Sequence, residues 1–203
     1  MTVQSRISKS LLAFLVAAGA STLVPRSAAA QIKQPGRHPH YSVELEPHLN
    51  LNWDRGWRAR GTGVGPGFRA SIPFVHNGPI PQINNNIGIS FGVDWAYFGE
   101  CDGQPNSANC HVNQFWFPVV AQWNFFLTPI ISVFGEIGGA IVSQNYGYES
   151  GCALVNNADC RYSRLDLFQP LFYGGGRFLF SDSIGMVVRL GSPSVTIGAT
   201  FLL

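Results

Sequence analysis

The sequence predicts an all-β fold: an eight-stranded antiparallel up-and-down transmembrane β-barrel, apolar outside, with a polar and filled lumen. Three observations point there. Long segments alternate apolar and polar residues with a period of two. Charged residues make up 12% of the 203 residues, about half the roughly 25% of an ordinary soluble domain. The connections between extended segments alternate between long and short along the chain.

The clearest strand is 41–53. Its odd positions are Tyr41, Val43, Leu45, Pro47, Leu49, Leu51 and Trp53, and its even positions are Ser42, Glu44, Glu46, His48, Asn50 and Asn52. A helix would scatter these two classes around its surface, whereas a strand puts one on each face. The next strand, 63–75, is noisier. Segment 87–97 repeats the pattern, with Ile87, Ile89, Phe91, Val93, Trp95 and Tyr97 against Gly88, Ser90, Gly92, Asp94 and Ala96. Noisier strands follow near 112–126, 130–145 and 161–180. Segment 184–190 sets Ile184, Met186, Val188 and Leu190 against Gly185, Val187 and Arg189, and segment 194–203 closes the series with Val195, Ile197, Ala199, Phe201 and Leu203 on one face. Several of these reach the roughly 9–11 residues a membrane-crossing strand needs, where strands of soluble proteins run to about 5–6.

Connections 53–62, 99–111 and 146–160 are long and polar; 127–129 and 181–183 are short, 76–86 is intermediate, and 191–193 is a short exception on the long-loop side. Long loops outside and short turns inside is the asymmetry of outer-membrane barrels. Lipid offers no hydrogen bonds, so a sheet within it must close. An eight-stranded barrel is just wide enough inside for side chains to fill. The polar parity carries Glu44, Glu46, His48, Arg69, Asp94, Glu136, Arg164, Asp166 and Arg189. These are expected to pair with one another and plug the tube, because an unpaired buried ion costs several kcal/mol, on the order of the usual desolvation penalty. Prolines are the main objection: Pro47, Pro66, Pro73, Pro118 and Pro170 fall inside the proposed strands, and a closed sheet has no edge to hold them. Around Pro170 the alternation also changes phase, which a β-bulge would explain.

Residues 1–30 are expected to be a secretory signal peptide: Arg6 and Lys9 precede a short apolar core, and Ala28, Ala29 and Ala30 form the small-residue cleavage pattern. The apolar stretch at 11–24 is short for a membrane helix. Residues 31–39 are then a short periplasmic segment and 40–203 the barrel domain. Of the thirteen Lys and Arg, three lie in the leader, so the remaining chain carries ten bases against eleven acids, and nothing points to nucleic acid. Cys101, Cys110, Cys152 and Cys160 would meet an oxidising compartment after export, where disulfides form. Pairing of near neighbours is favoured, because each pair brackets an Asn-containing polar loop, although three connectivities remain open.

The chain resembles the small OmpA/OmpX-type outer-membrane β-barrels, the porin-like group, over residues 40–203. The sharpest local feature is Thr196, Gly198, Phe201 and Leu203, which fit the C-terminal insertion signal, with Leu203 in place of the usual Phe. The resemblance implies a protein of the Gram-negative outer membrane, in contact with lipid and lipopolysaccharide, inserted by the barrel-assembly machinery, and expected to be a monomer without cofactor.

Other chemistry is thinly supported. Arg55, Arg58 and Arg60, beside Trp53 and Trp57, could grip lipopolysaccharide phosphates through the guanidinium fork; a solvated loop with interfacial aromatics is favoured over that reading. A lipid-A-modifying enzyme would need a nucleophile and base near the outer rim. His111 and Ser163 map there, but no nucleophile motif surrounds them, so no catalytic residue is assigned and the barrel is expected not to be an enzyme. His38-Pro39-His40 is read as a frayed segment rather than a weak metal site, and no metal ligand is assigned. The remaining alternative is a soluble lipocalin-like barrel, which would turn its apolar parity inward.

Overall fold

Each strand puts its apolar parity on the outside of a closed tube. The structure is a computed structural model that describes residues 31–53, 59–101, 110–148 and 161–203, without the side chains of 101, 110, 148, 161 and 162. The leader, Arg55, Trp57, Arg58, Cys152 and Cys160 lie outside the described residues.

The elements are β1 (Glu44–Asn52), β2 (Ala59–Arg60), β3 (Gly63–Val75), β4 (Asn85–Phe98), β5 (Glu100–Cys101), β6 (Cys110–Phe126), β7 (Ile131–Tyr148), β8 (Arg161–Leu179), β9 (Ile184–Ser192) and β10 (Ser194–Leu202). Eight of them close in the order β1-β10-β9-β8-β7-β6-β4-β3, and β2 pairs with β5 as a small separate ribbon. All neighbours are antiparallel. The seam is closed by the last residue: the Leu203 carbonyl accepts from the amides of Ser42 (2.6 Å) and Val43 (3.2 Å), and its own amide donates to the Val43 carbonyl (2.9 Å). A strand edge left open in hydrocarbon would strand these groups without partners.

The orientation is the one the alternation predicts. Along β1, Glu44, Glu46, His48, Asn50 and Asn52 are buried, while Leu49 is 59% exposed. Ile72, Ile89, Phe91, Val119, Ile137 and Ile197 are likewise exposed on the other strands. The lipocalin-like alternative required the reverse and is overturned. No described helix is long and apolar enough to cross a membrane.

The prolines fit because the ladder lapses beside them. The β1–β10 pairing skips Glu46 and Pro47. The β4–β6 pairing skips from Phe91 to Asp94, opposite Phe117 and Pro118. The β3–β4 pairing is irregular between Pro73 and Val75. Pro170 lies before Phe172, the first β8 residue to pair with β9. A proline has no N–H to give, and at these places no ladder bond asks for one. The phase change in β8 is also real: opposite Ala140–Val142 the register slips between Gln169 and Asp166. Beyond it the inward parity is odd, as buried Leu171, Tyr173, Arg177 and Leu179 show.

Strand lengths differ around the barrel, with β3 and β4 intermediate at 13 and 14 residues. Strands β1, β9 and β10 have 9 residues each, enough to cross the membrane. Strands β6, β7 and β8 have 17, 18 and 19. All start from the short-turn end, so β6–β8 rise well past the belt at the other end.

The segment before β1 is built into the inner end rather than frayed. The Gln31 amide donates to the Leu127 carbonyl (2.8 Å) and the Asn84 amide to the Ile32 carbonyl (2.7 Å). Tyr41 and His38 are buried.

Candidate functional site

The ionised residues that the alternation turns inward meet in one layer across the lumen. The β1–β3 register sets Glu46 opposite Arg69, the β9–β10 register sets Arg189 opposite Thr196, and the β6–β7 register sets Gln122 opposite Glu136. Arg69 donates to Asp94 Oδ2 (3.0 Å) and Glu136 Oε2 (3.2 Å). Arg189 holds Glu46 through both terminal nitrogens, Nη2 to Oε2 at 2.8 Å, and its Nε lies 3.0 Å from Glu136 Oε2. Gln122 donates to the other Glu136 oxygen (2.9 Å). Glu44 accepts from Arg177 Nε (2.7 Å) and Thr200 Oγ1 (2.6 Å), and Arg177 reaches on to Ser132 Oγ (3.0 Å). The guanidiniums also cover aromatic faces: Arg69 over Tyr173 at 5.2 Å, and Arg189 over Phe134 at 5.1 Å. Such stacking helps a desolvated guanidinium.

His48 completes the layer. Its Nε2 is 2.8 Å from Asp94 Oδ1 and its Nδ1 is 3.1 Å from the Glu46 carbonyl oxygen. Both partners are acceptors, so the ring ties the β1 backbone to Asp94 on β4. The buried layer holds the carboxylates Glu44, Glu46, Asp94 and Glu136 against the guanidiniums Arg69, Arg177 and Arg189, with the His48 ring among them.

Two expected members lie elsewhere. Arg164 and Asp166 pair with each other (2.9 Å) with side chains 42% and 18% exposed. They share the inward parity of β8, but above the belt that parity meets water instead of the lumen core. Arg177 is the member the sequence reading missed. Counting parity forward from the β8 phase change finds it.

Apolar layers cap the charged one. Ala59, Ala96, Phe98, Val112 and Tyr146 cluster at the outer end, and Tyr41, Leu179 and Leu202 cluster at the inner end. The lumen is therefore filled by more than polar residues. A groove of about 630 Å³ lies on the outside, beside Trp123, Phe125, Ile137 and Phe172. Its floor is Gly135 and Gly174, whose missing side chains would meet nothing within 4 Å. It belongs to the hydrocarbon belt.

The remaining sequence candidates separate. His111 on β6 lies opposite Gly147 and Ser163 on β8 lies opposite Asn145. The whole of β7 stands between them, about 10 Å at two strand spacings, so they form no nucleophile–base pair. Arg60 sits opposite Glu100 in the β2–β5 ribbon. Cys101 lies opposite Ala59 and Cys110 opposite Tyr148; the cysteine side chains lie outside the described residues. In the insertion signal, Thr196 faces inward and accepts from Arg189 (3.3 Å), and Phe201 lies opposite Leu45. A Cβ on Gly198 would stand 2.4 Å from the Pro47 carbonyl oxygen, so β10 approaches β1 there only as glycine.

The inner mouth carries a second cluster of polar rings. His38 Nδ1 donates to Asn84 Oδ1 (2.7 Å), and the ring stacks on Phe126 at 4.6 Å. The centroids of His38 and His40 are 5.6 Å apart, and those of His40 and His76 are 6.3 Å apart. Burial holds the His38 imidazole below its ordinary pKa, and the nearby His40 and His76 push the same way against the Asn84 hydrogen bond.

A closed antiparallel barrel with its apolar side chains outside and paired ions inside is the outer-membrane architecture. It places the protein in the outer membrane of a Gram-negative bacterium. Neither a protein-family model nor a curated protein matches the chain. Similar solved structures include the crystal structure of Ail, the attachment invasion locus protein of Yersinia pestis. It shares 12% identity at a TM-score of 0.45, over 79% of this chain and 97% of that one. The crystal structure of Ail in complex with the heparin analogue sucrose octasulfate gives 13% and 0.45 over the same shares. The backbone structure of the Yersinia pestis outer membrane protein Ail in a phospholipid bilayer nanodisc gives 9% and 0.34, over 78% of this chain and 99% of that one.

Proposed function

We propose that the chain is a non-enzymatic outer-membrane protein whose barrel is a plugged anchor and whose projecting outer sheet makes contacts at the cell surface. The observation that carries this reading is the difference in strand length. Strands β6, β7 and β8 continue about twice as far as β9 and β10. Because β9 pairs only from Phe172 onward, no described strand pairs with the outer half of β8 on that side. Leu165, Leu167 and Phe168 are exposed along it. An edge without a partner among the described strands offers backbone groups for strand addition above the belt. The cysteines are read as clips on the loops around this sheet. Arg55, Arg58 and Arg60 are read as contacts to lipopolysaccharide phosphates.

The plugged lumen favours an anchor over a channel, and the distance between His111 and Ser163 favours contact over catalysis. The test compares bacteria displaying the full barrel with bacteria displaying a variant in which β6, β7 and β8 are shortened to belt height. Binding to surfaces coated with matrix glycoprotein or sulfated polysaccharide is measured, and heat-modifiable gel migration confirms insertion of both. The expected result is adhesion by the full barrel and its loss in the shortened one. Equal adhesion by both, or by neither, contradicts a surface-contact role.

A further inference from the structure

We propose that His38, His40 and His76 form a binding site for one divalent transition-metal ion of the Zn²⁺, Ni²⁺ or Cu²⁺ class at the inner mouth of the barrel. Two features of the structure support this, and a third permits it.

The first is an orphaned ligand atom. His38 is buried, and its Nε2 has no hydrogen-bond partner among the described residues. The other ring nitrogen donates its hydrogen to Asn84 Oδ1, which leaves Nε2 as the bare lone pair. A metal-bound histidine commonly donates its second N–H to an oxygen acceptor in this way, which fixes tautomer and ring orientation. An unsatisfied buried nitrogen is costly by itself, and a metal ion would satisfy it.

The second feature is spacing. Two imidazoles bound to one tetrahedral ion, each at a metal–nitrogen distance of about 2.0–2.1 Å, have ring centres roughly 5 Å apart. His40 stands 5.6 Å from His38 and 6.3 Å from His76, ring centre to ring centre. The third is freedom of movement. In this structure no three His, Cys, Asp or Glu groups among the described residues stand in ligating geometry. His40 and His76, however, are both exposed, so two surface rings can turn toward a fixed one. Imidazole nitrogen selects the borderline ions named above over Mg²⁺ or Ca²⁺. A water molecule would fill the fourth position.

His38 and His40 belong to the segment before β1, and His76 follows β3 at a short-turn end. A shared ion would therefore tie the N-terminal segment to the β3–β4 connection and clamp the lid of the inner mouth.

The test is titration of the folded barrel in detergent micelles with Zn²⁺, followed by calorimetry, and with Cu²⁺, followed by paramagnetic broadening of amide signals. One Zn²⁺ per chain is expected, with Cu²⁺ broadening centred on residues 31–43 and 76–84. The double variant His40→Ala/His76→Ala changes only exposed side chains and should fold; its Zn²⁺ affinity should fall at least tenfold. His111→Ala, at the opposite end, should bind as the wild type does. Asn84→Ala should weaken binding by about 10–100-fold, as loss of an outer-shell partner does, and Asn84→Asp should restore it. No saturable Zn²⁺ uptake, undiminished affinity in the double variant, or broadening centred elsewhere would each overturn the site.

Discussion

Replacing Arg189 with methionine is expected to destabilise the barrel by about 3–5 kcal/mol, the cost of removing one partner from a buried ionic group. Methionine retains much of the apolar stem, so the change is mainly one of charge. Arg189 holds Glu46 through two nitrogens and stands against Glu136. Without it, four buried carboxylates face Arg69, Arg177 and His48 alone. The measurement is urea unfolding in lipid vesicles, read by tryptophan fluorescence and gel migration. The triple variant Arg189→Met/Glu46→Gln/Glu136→Gln should recover most of the loss, because the stranded charges are removed as well. A single variant as stable as the wild type would mean that water reaches this layer and screens it.

Leu49→Arg is expected to cost about 2–4 kcal/mol, the penalty for a cation on the lipid face near the midplane of a barrel. Leu49 lies between Pro66 on β3 and Ile197 on β10, near the middle of a 9-residue strand, and projects outward. The arginine can lower its penalty only by reaching toward headgroups. The same vesicle unfolding measures it. A change within about 0.5 kcal/mol, typical of a surface substitution in water, would show that Leu49 does not meet hydrocarbon.

Where the two faces of a strand meet opposite environments, as in 41–53 and 87–97, the fold was legible from parity alone. The β8 bulge was legible too, because a phase break and a proline coincide near residue 170. Parity alone is silent about height. Arg164 and Asp166 have the same inward parity as Gln144 opposite Arg164, yet they sit where β8 has already left the membrane. Arg177 was missed for the related reason that its parity must be counted from the bulge. In β6 both faces carry aromatics, with Phe115 and Phe117 flanking the buried Trp116, so alternation did not reveal that part of the filling is apolar. The ladder lapses beside Pro47 and Pro118 depend on partner strands distant in sequence. The approach of His76 to His38 and His40 likewise exists only once the N-terminal segment is seated under the barrel.

The barrel's orientation rests on which face of each strand meets lipid. The most direct measurement is methyl NMR of the reconstituted barrel with a spin label buried among the acyl chains. The methyl signals of Ile89, Ile137 and Ile197 should broaden strongly, and those of Val120, Leu171 and Val187 should stay sharp. Broadening of the second set with protection of the first would contradict the account.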